Sequence, residues 1–137
     1  MNASDIMTPN VLTIGADATI REAIDLLIQE GISGLPVVDT NGCLIGIVTE
    51  FALLAIAYDR NVCEESVSDH MTREVLTVEA DEPVNKVADL CIVNRVRRVP
   101  VLEGGRLAGL ISRRDVLRAV YESQKAESGS YKPACVR

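Results

Sequence analysis

Ser4-Asp5-Ile6-Met7-Thr8-Pro9-Asn10-Val11-Leu12-Thr13-Ile14-Gly15-Ala16-Asp17 returns later in the chain as Ser68-Asp69-His70-Met71-Thr72-Arg73-Glu74-Val75-Leu76-Thr77-Val78-Glu79-Ala80-Asp81. Carried on to Val37 and Val101 at a constant offset of 64, the alignment matches 14 of 34 positions. Composition alone would give roughly two or three. A one-residue deletion then shortens the offset to 63, and Gly42/Gly105, Leu44/Leu107, Gly46/Gly109, Leu54/Leu117 and Tyr58/Tyr121 coincide. The chain is an internal duplication. With only two copies, each must bury its apolar face on the other.

Each copy reads as β-α-β-β-α. A short extended stretch (Val11 to Ile14; Val75 to Val78) precedes a helix whose apolar residues in the first copy are Ile20, Ala23, Ile24, Leu27 and Ile28, the spacing of one helical face. Thr19 followed by Glu22 forms a capping-box pattern, and Gly31 supplies a stop. In the second copy Pro83 suits the first helical turn and Asn94 the close. Two apolar strands follow in each copy, Leu35 to Val38 and Leu44 to Val48, then Val99 to Leu102 and Leu107 to Ile111. Asn41-Gly42 and Gly104-Gly105 fall between them, residues that tolerate the positive φ of a tight hairpin. A second helix opens after Thr49 or Ser112 and runs to about Tyr58 or Tyr121. The expected organisation is repeat 1 over 1–58, an acidic connector over 59–66, repeat 2 over 67–122 and a flexible tail over 123–137.

The chain's 137 residues, 47% hydrophobic and 25% charged, describe an ordinary globular protein and exclude a disordered one. No apolar run approaches the roughly 18–20 residues that cross a bilayer, and the polar start lacks the pattern of a signal peptide. A cytoplasmic location is the expectation. Cys43, Cys63, Cys91 and Cys135 form no CxxC pair and only His70 accompanies them, so reduced thiols are expected and no metal site. No Ser-His-Asp or Cys-His set, phosphate-binding glycine loop or GxGxxG is present, which points away from an enzyme.

Charge is unevenly distributed. Net charge is −6, yet residues 1–94 hold 4 basic and 16 acidic side chains, while residues 95–118 hold seven arginines against Glu103 and Asp115. Such a segment is either a solvated face or a local anion site, for which the planar guanidinium is suited. The acidic remainder and the scarcity of aromatic residues make nucleic acid an unlikely partner.

Asp-x-Met-Thr at both starts, Ile32-Ser33-Gly34-Leu35-Pro36-Val37-Val38-Asp39 and Gly109-Leu110-Ile111-Ser112-Arg113-Arg114-Asp115 together resemble a tandem CBS-domain pair (cystathionine-β-synthase domains), a Bateman module standing alone. The resemblance spans about residues 4–121. It implies an α/β fold in which two β-α-β-β-α repeats pack sheet to sheet about a pseudo-two-fold axis, leaving two clefts. It also implies homodimers.

In members of that family that bind adenosine-type ligands, the last helix opens with hydrophobic-Ser/Thr-x-x-Asp. A helix start offers unpartnered N–H groups and a partial positive charge to a phosphate, while an Asp in the first turn can accept from ribose hydroxyls. The second copy has Ser112 and Asp115; the first has Thr49 and Ala52, with Glu50 where an anion would approach. The same Ser-x-x-Asp pattern also simply caps a helix. By the resemblance, Arg97, Arg98 and Arg114 lie near the phosphate, and Met7, Leu12, Ile32, Ser33 and Gly34 near the adenine. The expected function is therefore regulatory: an adenine nucleotide (AMP, ADP or ATP) in one cleft modulates an effector protein in trans. S-adenosylmethionine and NAD stay open as ligands. The rival reading is a docking or dimerisation module whose clefts stay empty.

Overall fold

The computed structural model describes residues 1–128. Its elements are α1 (Ala3–Ile6), β1 (Thr8–Pro9), β2 (Ile14–Gly15), α2 (Ile20–Glu30), β3 (Gly34–Val38), β4 (Leu44–Thr49), α3 (Glu50–Ile56), α4 (Arg60–Cys63), a 3-10 turn (Val67–Asp69), β5 (Val78–Glu79), α5 (Val84–Asn94), β6 (Arg98–Glu103), β7 (Arg106–Ser112) and α6 (Arg113–Ser128). Two sheets carry the strand orders β2-β3-β4 and β1-β7-β6-β5. In each repeat a short parallel strand lies beside the antiparallel hairpin, β2 on β3 and β5 on β6. The result is the α/β architecture of two β-α-β-β-α repeats packed sheet to sheet. Among the described residues no helix is long and apolar enough to cross a membrane.

Local chemistry explains most boundaries. Thr19 Oγ1 accepts from the Glu22 N–H at 3.1 Å, and Gly31 closes α2 at φ 64°, where a side chain would be disfavoured. The second helix departs from expectation at both ends. Pro83 is the residue before α5 rather than part of its first turn. Asn94 remains helical and Arg95, not Asn94, takes the left-handed conformation at φ 53°. A non-glycine residue there costs on the order of 1 kcal/mol.

The strands alternate as a sheet with one face on its own helices requires. Leu35 and Val37, and likewise Val99 and Val101, are fully buried against the helices, while Pro36 and Pro100 are buried on the other face. Each repeat has its own core, one around Ile20, Leu27, Leu35, Val37 and Leu53, the other around Val78, Val87, Val99, Val101 and Ile111. Ile28 lies outside the first core, 74% exposed.

The opening segments do not stay with their own repeats. β1 pairs antiparallel with β7 through Thr8 opposite Leu110 and Pro9 opposite Gly109. Reciprocally, Ile47 of β4 exchanges two backbone hydrogen bonds of 2.9 Å with Thr72. The N–H groups of Ala3 and Ser4 donate to the carbonyls of Glu82 and Ala80, and those of Val67 and Ser68 to Ala18 and Ala16. Ala3, Ile6 and Met7 thus belong to the second core, Val67 and Met71 to the first. Gly109 and Gly46 make the crossing possible. A Cβ on Gly109 would stand 2.6 Å from Met7 Sδ and 2.8 Å from the Thr8 carbonyl; on Gly46 it would stand 2.6 Å from Met71 Sδ and 2.9 Å from the Thr72 carbonyl.

One expected boundary, the start of the tail, is corrected, and the connector proves to hold a helix. The connector over 59–66 contains α4, capped by Asp59 at the Asn61 N–H, and it buries Cys63. The tail expected from 123 is helical as far as Ser128, because α6 continues past Tyr121; its remainder, 129–137, lies outside the described residues.

Candidate functional site

The crossing of β1 onto β7 opens a cleft of about 360 Å³ between the repeats. It is lined from the first repeat by Thr8, Asn10, Val11, Leu12, Ile32 and Gly34, and from the second by Arg98, Leu110, Ser112 and Asp115. Neither repeat could form it alone. Its apolar wall comes from the first copy and its charged groups from the second.

Period-two alternation decides which second-copy residues reach it. On β7, Gly109 and Ile111 are buried against methionine and helix, so Leu110 and Ser112 face the cleft. On β6, Arg98 shares its side with Pro100; Arg97 lies before the strand, in a bend, and does not line the cleft. The Arg98 guanidinium spans the cleft and donates to Ser33 Oγ, a side-chain contact between the two repeats.

At the start of α6, Ser112 and Asp115 form a reciprocal capping box. The Asp115 N–H donates to Ser112 Oγ at 3.1 Å, and the Ser112 N–H donates to Asp115 Oδ2 at 3.0 Å. Oδ1 is 3.9 Å from Arg118 Nη1, beyond hydrogen-bond range, and the carboxylate is a quarter exposed. Oδ2 therefore holds the helix, Oδ1 keeps acceptor capacity, and Asp115 is one of the residues lining the cleft. Capping and ligand binding are compatible roles for this one side chain. In the first copy Thr49 caps alone, accepting from the Ala52 N–H at 3.2 Å, with no carboxylate to answer it. The backbone is the same at both sites: the Glu50 N–H donates to Ser33 O at 2.9 Å and the Arg113 N–H to Arg97 O at 3.0 Å.

Of the residues expected from sequence, Leu12, Ile32, Gly34, Arg98, Ser112 and Asp115 meet in the cleft, and Ser33 joins them through Arg98. Three do not. Met7 packs in the second core over Gly109; Arg97 and Arg114 are exposed and do not line the cleft. Thr8, Asn10, Val11 and Leu110 were missed. Strand parity with Ser112 would have found Leu110. Asn10 has a positive φ of 56°, which an Asn tolerates better than most residues, but its place depends on the crossing strand.

A model of the CBS domain matches residues 3–59 and again residues 67–122. Among curated relatives, the chain is 36% identical over 117 residues to an inosine-5'-monophosphate dehydrogenase of Methanocaldococcus jannaschii, covering 85% of this chain but 23% of that protein. It is 32% identical over 114 residues to the M. jannaschii protein MJ1225, covering 83% of this chain and 41% of the relative. The chain thus spans well under half the length of these relatives.

Among solved structures, CBSX2 in complex with AMP superposes with a TM-score of 0.79 at 30% identity, covering 90% of this chain and 98% of that one; CBSX2 is a CBS-pair protein from Arabidopsis thaliana. The CBS domain pair of protein MJ0100, in complex with 5'-methylthioadenosine and S-adenosyl-L-methionine, superposes with a TM-score of 0.74 at 31% identity, covering 90% and 98%. The two matches of the family model coincide with the two copies of the internal duplication: the chain belongs to the CBS domain family, as a pair of such domains.

Proposed function

We propose that the chain is a regulatory module, without catalysis of its own, that binds an adenosine-bearing anion in the cleft between the repeats. The observation that carries this reading is the convergence of Asp115, whose Oδ1 keeps acceptor capacity, and Arg98 on a wall of Val11, Leu12 and Ile32. The carboxylate suits the hydroxyls of a ribose, the apolar wall a flat base, and the guanidinium a phosphate. Structures of similar CBS pairs with AMP and with methylthioadenosine and S-adenosylmethionine support the adenosine portion. Among the described residues one arginine, Arg98, lines the cleft, so AMP is the preferred ligand over ADP and ATP.

The Arg98–Ser33 bond joins the repeats across the binding space, so a phosphate that draws Arg98 away changes how the halves are held. A ligand moves such an equilibrium only by its differential affinity for the two arrangements. The output would pass in the cytoplasm to an effector protein in trans, from a homodimer of this chain. A second reading, docking with empty clefts, is favoured by the apolar side chains exposed on the helices, among them Ile28, Leu54, Ile92 and Leu117.

Thermal unfolding with AMP, ADP, ATP, NAD and S-adenosylmethionine separates the two. A ligand at about 100 times its dissociation constant adds roughly 2.7 kcal/mol, several degrees for this size. AMP should raise the transition in the wild type and in Ala52→Asp but not in Asp115→Ala. No shift with any of the five in the folded wild type would leave the docking module.

A further inference from the structure

Two apolar grooves run along the outer faces, one between α2 and α3, the other between α5 and α6, with volumes of about 460 and 390 Å³. They are copies of each other. All eight residues lining the second groove are the repeat equivalents of residues lining the first, Ile92 for Ile28 and Leu117 for Leu54 among them. These four side chains are 64–74% exposed. The grooves differ in charge at two of the eight positions. Glu50 in the first is Arg113 in the second, and Gly31 in the first is Arg95 in the second. Neither Glu50, Arg95 nor Arg113 has an ion-pair partner among the described residues.

The surrounding helices repeat this contrast. Residues 20–31 and 50–59 carry one basic and five acidic side chains, net −4; the equivalent residues 84–95 and 113–122 carry five basic and three acidic, net +2. Arg95 also keeps its charge at the groove in a left-handed conformation for which the first copy uses glycine.

We propose that the acidic groove of one copy of this chain docks on the basic groove of a second copy, giving a head-to-tail dimer with two identical interfaces. This rests on the homodimer reading above and names its geometry. Burial of the exposed Ile28, Leu54, Ile92 and Leu117 drives the contact, and charge decides the pairing. Head-to-head packing would set Glu50 against Glu50 and Arg113 against Arg113. Head-to-tail packing sets Glu50 against Arg113 and Arg95 at both interfaces. The two-fold relation makes the contacts closed, so association stops at the dimer.

Sedimentation equilibrium of the full chain tests this with Glu50→Arg, Arg113→Glu and the double reversal, each checked for folding by circular dichroism. Either single reversal should raise the dimer dissociation constant at least about tenfold, and the double should return it to within about threefold of wild type. Arg113→Glu is the cleaner single, because an acidic residue suits the start of α6 and does not weaken that helix. A wild type monomeric at about 200 μM, roughly a thousandfold above ordinary specific affinities, overturns the homodimer reading and this geometry with it. A dimer indifferent to all three variants keeps self-association and overturns the head-to-tail arrangement. Weakening by the singles without rescue by the double overturns it too, since the charges would then act separately.

Discussion

Replacing Gly109 by alanine tests the exchange of opening segments directly. The new methyl would meet Met7 Sδ at 2.6 Å, the Thr8 carbonyl oxygen at 2.8 Å and Met7 Cγ at 2.9 Å. The thioether is flexible and can swing aside. The carbonyl belongs to β1, which pairs with β7 at this very position, Pro9 standing opposite Gly109. Relief therefore requires β1 to retreat by several tenths of an ångström, loosening Ala3, Ile6 and Met7 in the second core. Overpacking of this kind costs about 1–3 kcal/mol, and the loss of strand pairing places Gly109→Ala in the upper half of that range. For a chain of this length, that lowers Tm by about 6–12 °C. The control is Gly15→Ala, where a Cβ meets nothing within 4 Å and φ is not positive; it should stay within about 0.5 kcal/mol of wild type. Urea unfolding of both variants measures the difference. In a double-mutant cycle, Met7→Ala should recover part of the Gly109→Ala loss, because two of the three close contacts are with Met7. If Gly109→Ala and Gly15→Ala have equal stability, β1 does not lie across β7 as described.

Two further outcomes follow from the cleft and the core. Arg98→Ala should weaken AMP binding about tenfold or more in calorimetry, as expected for a charge-assisted bond, whereas Arg97→Ala and Arg114→Ala should change it less than about threefold; equal losses at all three would show that lining the cleft does not select the phosphate contact. Burial holds the Cys91 thiol above its ordinary value of 9.0, opposed by the nearby Arg113 charge. The raised value means that the folded state holds the proton more tightly, so this contribution is complete below about pH 9 and is lost as pH rises through the raised value. Unfolding midpoints measured from pH 8 to 11 should fall less steeply in Cys91→Ala than in wild type, and identical slopes would contradict the assignment.

What the sequence disclosed was whatever is encoded locally or by repetition. Thr19 and Glu22 cap α2 because both partners lie within one turn, and Gly31 ends it because the left-handed conformation is written in the residue itself. The duplication was visible without any structure. The exchange of opening segments was not, although both halves of the evidence were present: Met7/Met71 and Gly46/Gly109 each repeat, but nothing local shows that Met7 sits on Gly109 rather than on Gly46. The repeat alone therefore leaves Met7 beside the cleft residues, whereas it packs in the second core over Gly109. Arg97 and Arg98 look interchangeable until the start of β6 falls between them, and Arg95 conceals a left-handed residue that composition would assign to Asn94. Asp115 was ambiguous between capping and binding because a single carboxylate can serve both through different oxygens.

The crossing of the opening segments has a bearing on ancestry. One repeat in isolation would have an opening methionine with no notch to receive it and a glycine notch with nothing to fill it. Two identical single-repeat chains would satisfy both needs by trading arms. The smallest unit with both needs met would then be a swapped pair, its assembly dependent on concentration. Carrying both repeats in one chain makes that second-order encounter a closure within the molecule, at an effective concentration roughly in the millimolar range. It also freed the copies to diverge. Once tethered, they no longer had to be identical, so one could keep Asp115 while the other settled for Ala52.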